Sequence, residues 1–306
     1  MSVGRPNRLK AGDKVRLVSP ASTPYPDDVA STVGYLESLG LRVQVGRHAF
    51  DRFGLFAGTD EARLADFNEA LRDPETRAII ATQGGRGAYR IADGLDFEAA
   101  RHDPKPLVGF SEITILHMAL LRHGGVAGVH GAAWDERFDR SSTESFRKAL
   151  FRSEAVVLRS DEAEPTARLS TGGKATGVLI GGNQDMLAAA SGWMLPGFDG
   201  VILLLEAVGL TRGQLDRQLT MLRKTGAFSG IVGVAVGQYT DCGRVAGDEK
   251  NWGYVDILRD QLSRYDVPVL GGLRVGHGNA PVAVPVGTRA TLDAAAGTLE
   301  VDAAVT

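Results

Sequence analysis

The chain has 306 residues, 43% of them hydrophobic, and its 34 lysines and arginines nearly balance 37 aspartates and glutamates for a net charge of -3. Charges so scattered exclude a nucleic-acid footprint and an acidic tail; six dispersed histidines and one cysteine, Cys242, provide neither an internal disulfide nor metal-ligand spacing. No apolar run reaches membrane-spanning length, and the opening MSVGRPNRLKAGDKVRLVSP lacks the apolar core of a secretion signal. A soluble cytoplasmic protein of about two domains, at ~150 residues each, is expected.

In chain order, residues 15–22 read as a strand, 26–40 as a helix ended by Gly40, and 42–46 as a second strand. A helix over 59–73 and a strand over 78–85 follow, the latter running into Gly84 and Gly85, then a helical turn from about 87 to 92. Leu107, Val108, Gly109 and Phe110 form the end of a buried strand, after which Ile113, Leu116, Leu120 and Leu121 recur at helical spacing until Gly124 and Gly125. Another strand is predicted over 126–133. This alternation predicts an α/β unit with a mostly parallel sheet and helices on both faces.

Residues 136–172 are polar, with one amphipathic helix around 143–150, and are expected to link a first domain (1–135) to a second (173–306). The second has very apolar strands at 176–182, 201–206, 231–239 and 267–272, with a closing β meander over 281–302. Helices near 183–190, 211–225 and 252–265 interrupt them, the second burying Leu215, Leu219 and Leu222.

Glycine is the informative excess: 39 residues, many paired at the ends of apolar runs, as in ATQGGRGAY, LIGGN and LGGLRVGHG. Ser111 lies at one such strand-to-helix seam. It reads either as a helix N-cap or as a nucleophile displayed on a sharp turn. A nucleophile needs a base and a carboxylate to orient that base. His277, in a glycine-dense loop after a strand, is the best candidate base, with His130 at another strand end as its rival. Glu206 closes the apolar run VILLLE, where an ionised group is either at an exposed edge or held by a partner. Glu112 reads more simply as a first-turn acid favoured by the helix dipole. Its backbone N–H is one natural oxyanion donor, and the Gly84–Gly85 turn is a source for a second. As a phosphate cradle the same turn lacks both GxGxxG spacing and a P-loop lysine.

Taken in order, LKAGDKVRLVSPAS, ATQGGRGAYRI, VGFSEITILH, VLIGGN, LLLEAVG with LDRQLTML, GIVGVAVGQY and VGHGNAPVAVPVGTRATLD resemble the LD-carboxypeptidase family of serine peptidases, which also contains the microcin C self-immunity hydrolases. The resemblance covers nearly the whole chain. It implies a flavodoxin-like N-terminal domain, a β-rich α/β C-terminal domain and a homodimer, with a site between the domains and neither metal nor cofactor. It puts a Ser–Glu–His triad on Ser111, Glu206 and His277 and the oxyanion donors on the N–H groups of Gly85 and Glu112. Substrate contacts are expected from Gln83, Arg86 and Asn183. Gln83 and Arg86 stand where the family commonly has the arginine and tyrosine of R-G-G-Y-G. Glu112 replaces the aspartate of G-x-S-D-x-T, a change expected to do little damage because the backbone donor is kept.

The substrate implied is a peptidoglycan-derived tetrapeptide that loses its terminal D-alanine across an L,D bond. One alternative is a self-immunity-type amidase acting on aminoacyl-nucleotide mimics, with Trp134 or Trp193 stacked on a purine. A rival of another class is a small-molecule-binding protein that uses the cleft without turnover.

Overall fold

A computed structural model of the chain describes residues 4–135, 138–243 and 252–306. The first half runs β1 (Lys14–Val18), α1 (Pro26–Ser38), β2 (Arg42–Val45), α2 (Asp60–Arg72), β3 (Thr76–Ala81), α3 (Phe97–His102), β4 (Leu107–Gly109), α4 (Thr114–Ala119) and β5 (Gly128–His130). Next come α5 (Arg140–Phe151), β6 (Val156–Arg159), β7 (Lys174–Asn183), α6 (Gln184–Ala190), β8 (Val201–Val208) and α7 (Arg212–Lys224). The chain closes with β9 (Gly233–Thr240), α8 (Tyr254–Leu262), β10 (Val269–Leu270), β11 (Val284–Val286), β12 (Arg289–Asp293) and β13 (Thr298–Val301). Local chemistry sets several of these boundaries. Pro26 opens α1 ahead of Asp27 and Asp28, Thr59 caps α2, and Thr211 with Gln214 forms a capping box on α7.

Two sheets organise the molecule. In the first, β2, β1, β3, β4 and β5 are all parallel in that order, the doubly wound flavodoxin-like arrangement. In the second, β10, β9, β8 and β7 are parallel and continue into the antiparallel β12, β13 and β6. β8 is buried from Val201 through Ala207, which explains its unbroken apolar run.

Residues 136–172 contain two elements that join the main body. α5 buries Phe146, Ala149 and Leu150 against Val15, Leu17 and Val129 of the first sheet, and β6 pairs with β13 at the edge of the second. The closing meander divides as well: β12 and β13 stay in the second sheet, while β11 crosses to pair antiparallel with β5, Val284 opposite His130. The helical turn expected at 87–92 is a pair of 3-10 turns, Ala88–Arg90 and Ala92–Gly94, and the helix after Ser111 ends in a π turn over Leu120–Gly124. No helix among the described residues is long and apolar enough to cross a membrane.

In a sheet of this order the crevice opens beyond the carboxyl ends of the strands, where β1 and β3 send their connections to opposite faces. Here it is completed by the second half, because the 271–283 segment runs from the second sheet to the first between β10 and β11.

Candidate active site

Ser111 follows β4 with φ at +61°, a left-handed conformation that a side chain adopts at a cost of about 1–3 kcal/mol. Phe110, not Ser111, occupies the N-cap position of the 3-10 turn Ser111–Ile113, and no side chain caps that turn. Cap formation therefore does not account for the serine. The elbow closes only because its neighbours are small. A Cβ on Gly109 would lie 2.5 Å from Ile113 Cγ2, and one on Gly84 would lie 3.0 Å from Ser111 Cβ and 3.3 Å from its Oγ.

Glu206, on β8, is fully buried, and its Oε2 accepts a 2.8 Å hydrogen bond from Nδ1–H of His277. With Nδ1 carrying that proton, Nε2 is the basic nitrogen. Gly276 is required at this contact: its φ is +132°, and a Cβ there would lie 2.9 Å from Glu206 Oε2. Gln238 of β9 secures the far side of the loop. Its Oε1 accepts from the Gly278 N–H at 2.9 Å, while Nε2 donates to Asn279 O at 3.0 Å and Glu164 Oε1 at 2.7 Å.

The ring of Phe110, the residue before Ser111, packs on the His277 ring with centroids 4.8 Å apart. Ser111 and His277 border the same cleft of about 900 Å³, whose walls also include Tyr25, Thr82, Trp134 and Phe138. No hydrogen bond joins Ser111 Oγ to His277 among the described residues; in ligand-free hydrolases such a bond commonly tightens only when substrate arrives. His130, the rival base, does not border the cleft. It is 1% exposed, its Nε2 stands 3.9 Å from Glu206 Oε1, and neither ring nitrogen has a hydrogen-bond partner among the described residues. Burial drives its pKa well below the ordinary histidine value, so the ring is neutral.

The Gly84–Gly85 turn lies directly against the elbow. A Cβ on Gly84 would be 3.4 Å from the Glu112 backbone nitrogen, and Gly85, at φ +103°, would collide with Ser22 Oγ if it carried a side chain. Among the described residues the N–H groups of Gly85 and Glu112 donate to no protein acceptor. Together the parts suit acyl transfer: a displayed hydroxyl, an oriented imidazole and two free backbone donors.

The remaining expected contacts are distributed differently. Gln83 borders the cleft, but its Nε2 donates to Thr23 O at 2.8 Å and ties the loop after β1 to the glycine turn. Arg86 is exposed outside the cleft lining, its backbone N–H donating to Ser22 Oγ at 3.1 Å. Asn183 is 5% exposed and caps α6, its side-chain oxygen accepting from the Met186 N–H at 3.4 Å, and it does not border the cleft. Trp134 is in the cleft wall but 4% exposed; Trp193 is 39% exposed and lies outside it. Residue patterns alone missed Gln238 and the Glu112 side chain, whose carboxylate reaches the Gly87 and Ala88 N–H groups. The small hydroxyl-rich run after β1, SPASTP, was the available signal for the Ser22 wall.

Comparison with known proteins gives a consistent assignment. Residues 15–131 match the LD-carboxypeptidase N-terminal domain and residues 176–292 the LD-carboxypeptidase C-terminal domain. The chain is 32% identical to a probable murein peptide carboxypeptidase of Bacillus subtilis (strain 168), over 98% of this chain and 95% of that protein. It is also 32% identical to the murein tetrapeptide carboxypeptidase of Pseudomonas aeruginosa, over 92% and 93% respectively. Among solved structures, the muramoyltetrapeptide carboxypeptidase of Oxalobacter formigenes superposes with a TM-score of 0.84 at 26% identity, covering 96% of this chain and all of that one. The microcin C7 self-immunity protein MccF shares the fold, with a TM-score of 0.87 at 22% identity, covering 99% of this chain and 100% of that one. With both of its domains recognised in order over most of its length, the chain belongs to the LD-carboxypeptidase family.

Proposed function

We propose that this chain is a serine carboxypeptidase that hydrolyses the L,D-amide bond holding the terminal D-alanine of peptidoglycan-derived tetrapeptides. The observation that carries the reading is the left-handed Ser111 sharing a cleft with a His277–Glu206 pair bonded at 2.8 Å. Ser111 Oγ attacks the scissile carbonyl as His277 Nε2 takes its proton. Glu206 holds the Nδ1 proton in place and stabilises the imidazolium without itself becoming protonated. The N–H groups of Gly85 and Glu112 receive the oxyanion. His277 then protonates the departing D-alanine amine, and water, activated by the same imidazole, releases the acyl group from Ser111.

The murein carboxypeptidase names of two relatives, each at 32% identity, support the peptide substrate. An aminoacyl-nucleotide substrate asks for an exposed aromatic face in the cleft. Trp134 is buried and Trp193 lies elsewhere, so stacking would fall to Tyr25 or Phe138. In this reading a nucleophile-bearing domain (1–135) and a Glu–His-bearing domain (173–306) are joined through 136–172, and the enzyme works as a cytoplasmic homodimer, a state that light scattering of the purified protein would test.

The functional test is mass spectrometry of the protein incubated with a muropeptide tetrapeptide, beside a tube of aminoacyl-sulfamoyl adenosine and a Ser111→Ala control for each. Serine-dependent loss of D-alanine supports the carboxypeptidase. Cleavage of the adenosine compound alone transfers the protein to the amidase reading. A folded protein that cleaves neither and ignores a fluorophosphonate probe is a binding protein.

A further inference from the structure

Building on that hydrolase reading, we infer that the Glu112 carboxylate is a positioning residue of the oxyanion site, fixing the turn that carries the second backbone donor. Glu112 follows the nucleophile, so its own N–H lies at the elbow. Its side chain leaves its own turn. At 4% exposure, Oε1 accepts the N–H of Gly87 at 2.7 Å and that of Ala88 at 3.0 Å, where the 3-10 turn Ala88–Arg90 begins.

Arg63 holds the same turn from the other side. Its buried guanidinium donates through Nη1 to Gly87 O and to Pro20 O, each at 2.7 Å. Gly87 is therefore gripped through its N–H and its carbonyl at once. Its φ is +108°, and a Cβ would lie 2.7 Å from Arg63 Nη1, which leaves glycine alone at the position. The start of the turn is tied to the loop after β1: the Ser22 N–H donates to Gly84 O at 3.2 Å, and the Arg86 N–H donates to Ser22 Oγ at 3.1 Å. Between these fixed points sits Gly85, whose N–H has no acceptor among the described residues.

A turn needing only shape would not call for a buried acid, since burial disfavours a carboxylate and raises the pKa of Glu112 above its ordinary value. Charge-assisted bonds to two backbone N–H groups supply a rigid anchor at that cost. Rigidity is the property an oxyanion donor requires, because its stabilisation depends on being aimed before charge develops. One residue thus sets both donors, the first by its backbone and the second by its side chain.

The test compares Glu112→Ala, Glu112→Gln and Glu112→Asp with the unmodified enzyme. The readouts are kcat and KM on the tetrapeptide, affinity for a peptide boronate that mimics the tetrahedral intermediate, and the rate of Ser111 phosphonylation by a fluorophosphonate. Losing an oxyanion donor costs ~100-fold or more in rate, so Glu112→Ala should lower kcat and boronate affinity together by about that factor. KM should stay within a few-fold. Glu112→Gln, which keeps an acceptor oxygen, should recover much of the loss, and Glu112→Asp, one methylene shorter, should not. Should the alanine variant fail to fold, the glutamine–aspartate difference decides the matter. Folded variants with unmodified kcat, boronate affinity and phosphonylation rate would overturn the inference, as would a loss confined to KM. The phosphonylation rate separates this question from the substrate: an enzyme that labels at Ser111 but spares the tetrapeptide refutes the carboxypeptidase reading and leaves the Glu112 comparison decisive. An unmodified enzyme that never labels overturns both.

Discussion

Replacing Glu206 by glutamine removes one charge from a site whose geometry allows the consequence to be worked out. The carboxylate is fully buried and bonded to His277 Nδ1 at 2.8 Å. In the proposed mechanism His277 takes the Ser111 proton, and an imidazolium forms beside the carboxylate. Unit charges with centres ~4 Å apart at an effective dielectric constant of ~20 attract by about 4 kcal/mol. An amide keeps only a dipole, and each ~1.4 kcal/mol is a factor of ten in rate, so the charge alone accounts for roughly a 10³-fold loss in kcat. If the amide turns its NH2 toward Nδ1, the wrong tautomer is held, and the loss extends toward the ~10⁴ seen when the orienting acid of a serine protease becomes an amide. KM should change little, because Glu206 does not border the cleft. Stability should not suffer either, since a neutral side chain of the same size replaces a buried ion whose Oε1 has no hydrogen bond among the described residues. The assay is steady-state release of D-alanine, with thermal unfolding followed by circular dichroism on the same sample. A folded Glu206→Gln enzyme within about tenfold of the unmodified kcat would refute the role assigned to this residue.

Three further outcomes are expected. Ser111→Gly should abolish turnover yet raise unfolding stability in urea by about 1 kcal/mol, because glycine relieves the left-handed strain at φ +61°; an unchanged or lower stability would contradict the strained elbow. His277→Ala should remove nearly all activity while His130→Ala leaves measurable turnover, and the reverse order would make His130 the base. His117 lies under the elbow with Nε2 3.0 Å from Gly109 O, and burial lowers its pKa to about 4. Its folded-state pKa is below the unfolded value, so its contribution is intact above about pH 6.5 and stability is lost as pH falls from there toward 4. By pH 5 that loss should be about 2 kcal/mol relative to pH 7. A His117→Gln variant, measured by urea unfolding at both pH values, should lack this component of the slope, and identical slopes would count against a neutral buried His117.

Much of the first sheet was legible because its signals are local. β1, β3, β4 and β5 are short, mostly apolar runs closed by glycine or a polar turn, and α1 and α2 each bury one face, so periodicity and punctuation suffice there, whereas α4 is buried all round from Thr114 to Ala119. Ser111, Glu206 and His277 were noticeable for a similar reason: each places a reactive group where an apolar strand ends. The short strand β6 was not legible, because Val156 and Leu158 form a strand only by pairing with β13. Glu112 read as an ordinary first-turn acid until its partners, Gly87 and Ala88, were brought beside it across 25 and 24 residues of chain. Asn183 read as a cleft residue, whereas in the fold its side chain caps α6.

The sequence by itself determined the alternation of strands and helices and the membership of the family, and it singled out the three residues to which the proposed hydrolase chemistry is assigned. Hydrophobic period, turn residues and ordered motifs are properties of neighbouring positions, and they need no third dimension. Only the tertiary structure decided which groups meet. β11 leaves the meander because β5 offers it an unpaired edge, and that crossing carries the 271–283 segment, with His277, from the second sheet to the first. The Glu206 bond to His277, the Gln238 hold on its loop and the two-sided grip on Gly87 all join residues far apart in the chain. Such contacts depend on strand pairing and loop closure over long separations, which no local pattern encodes.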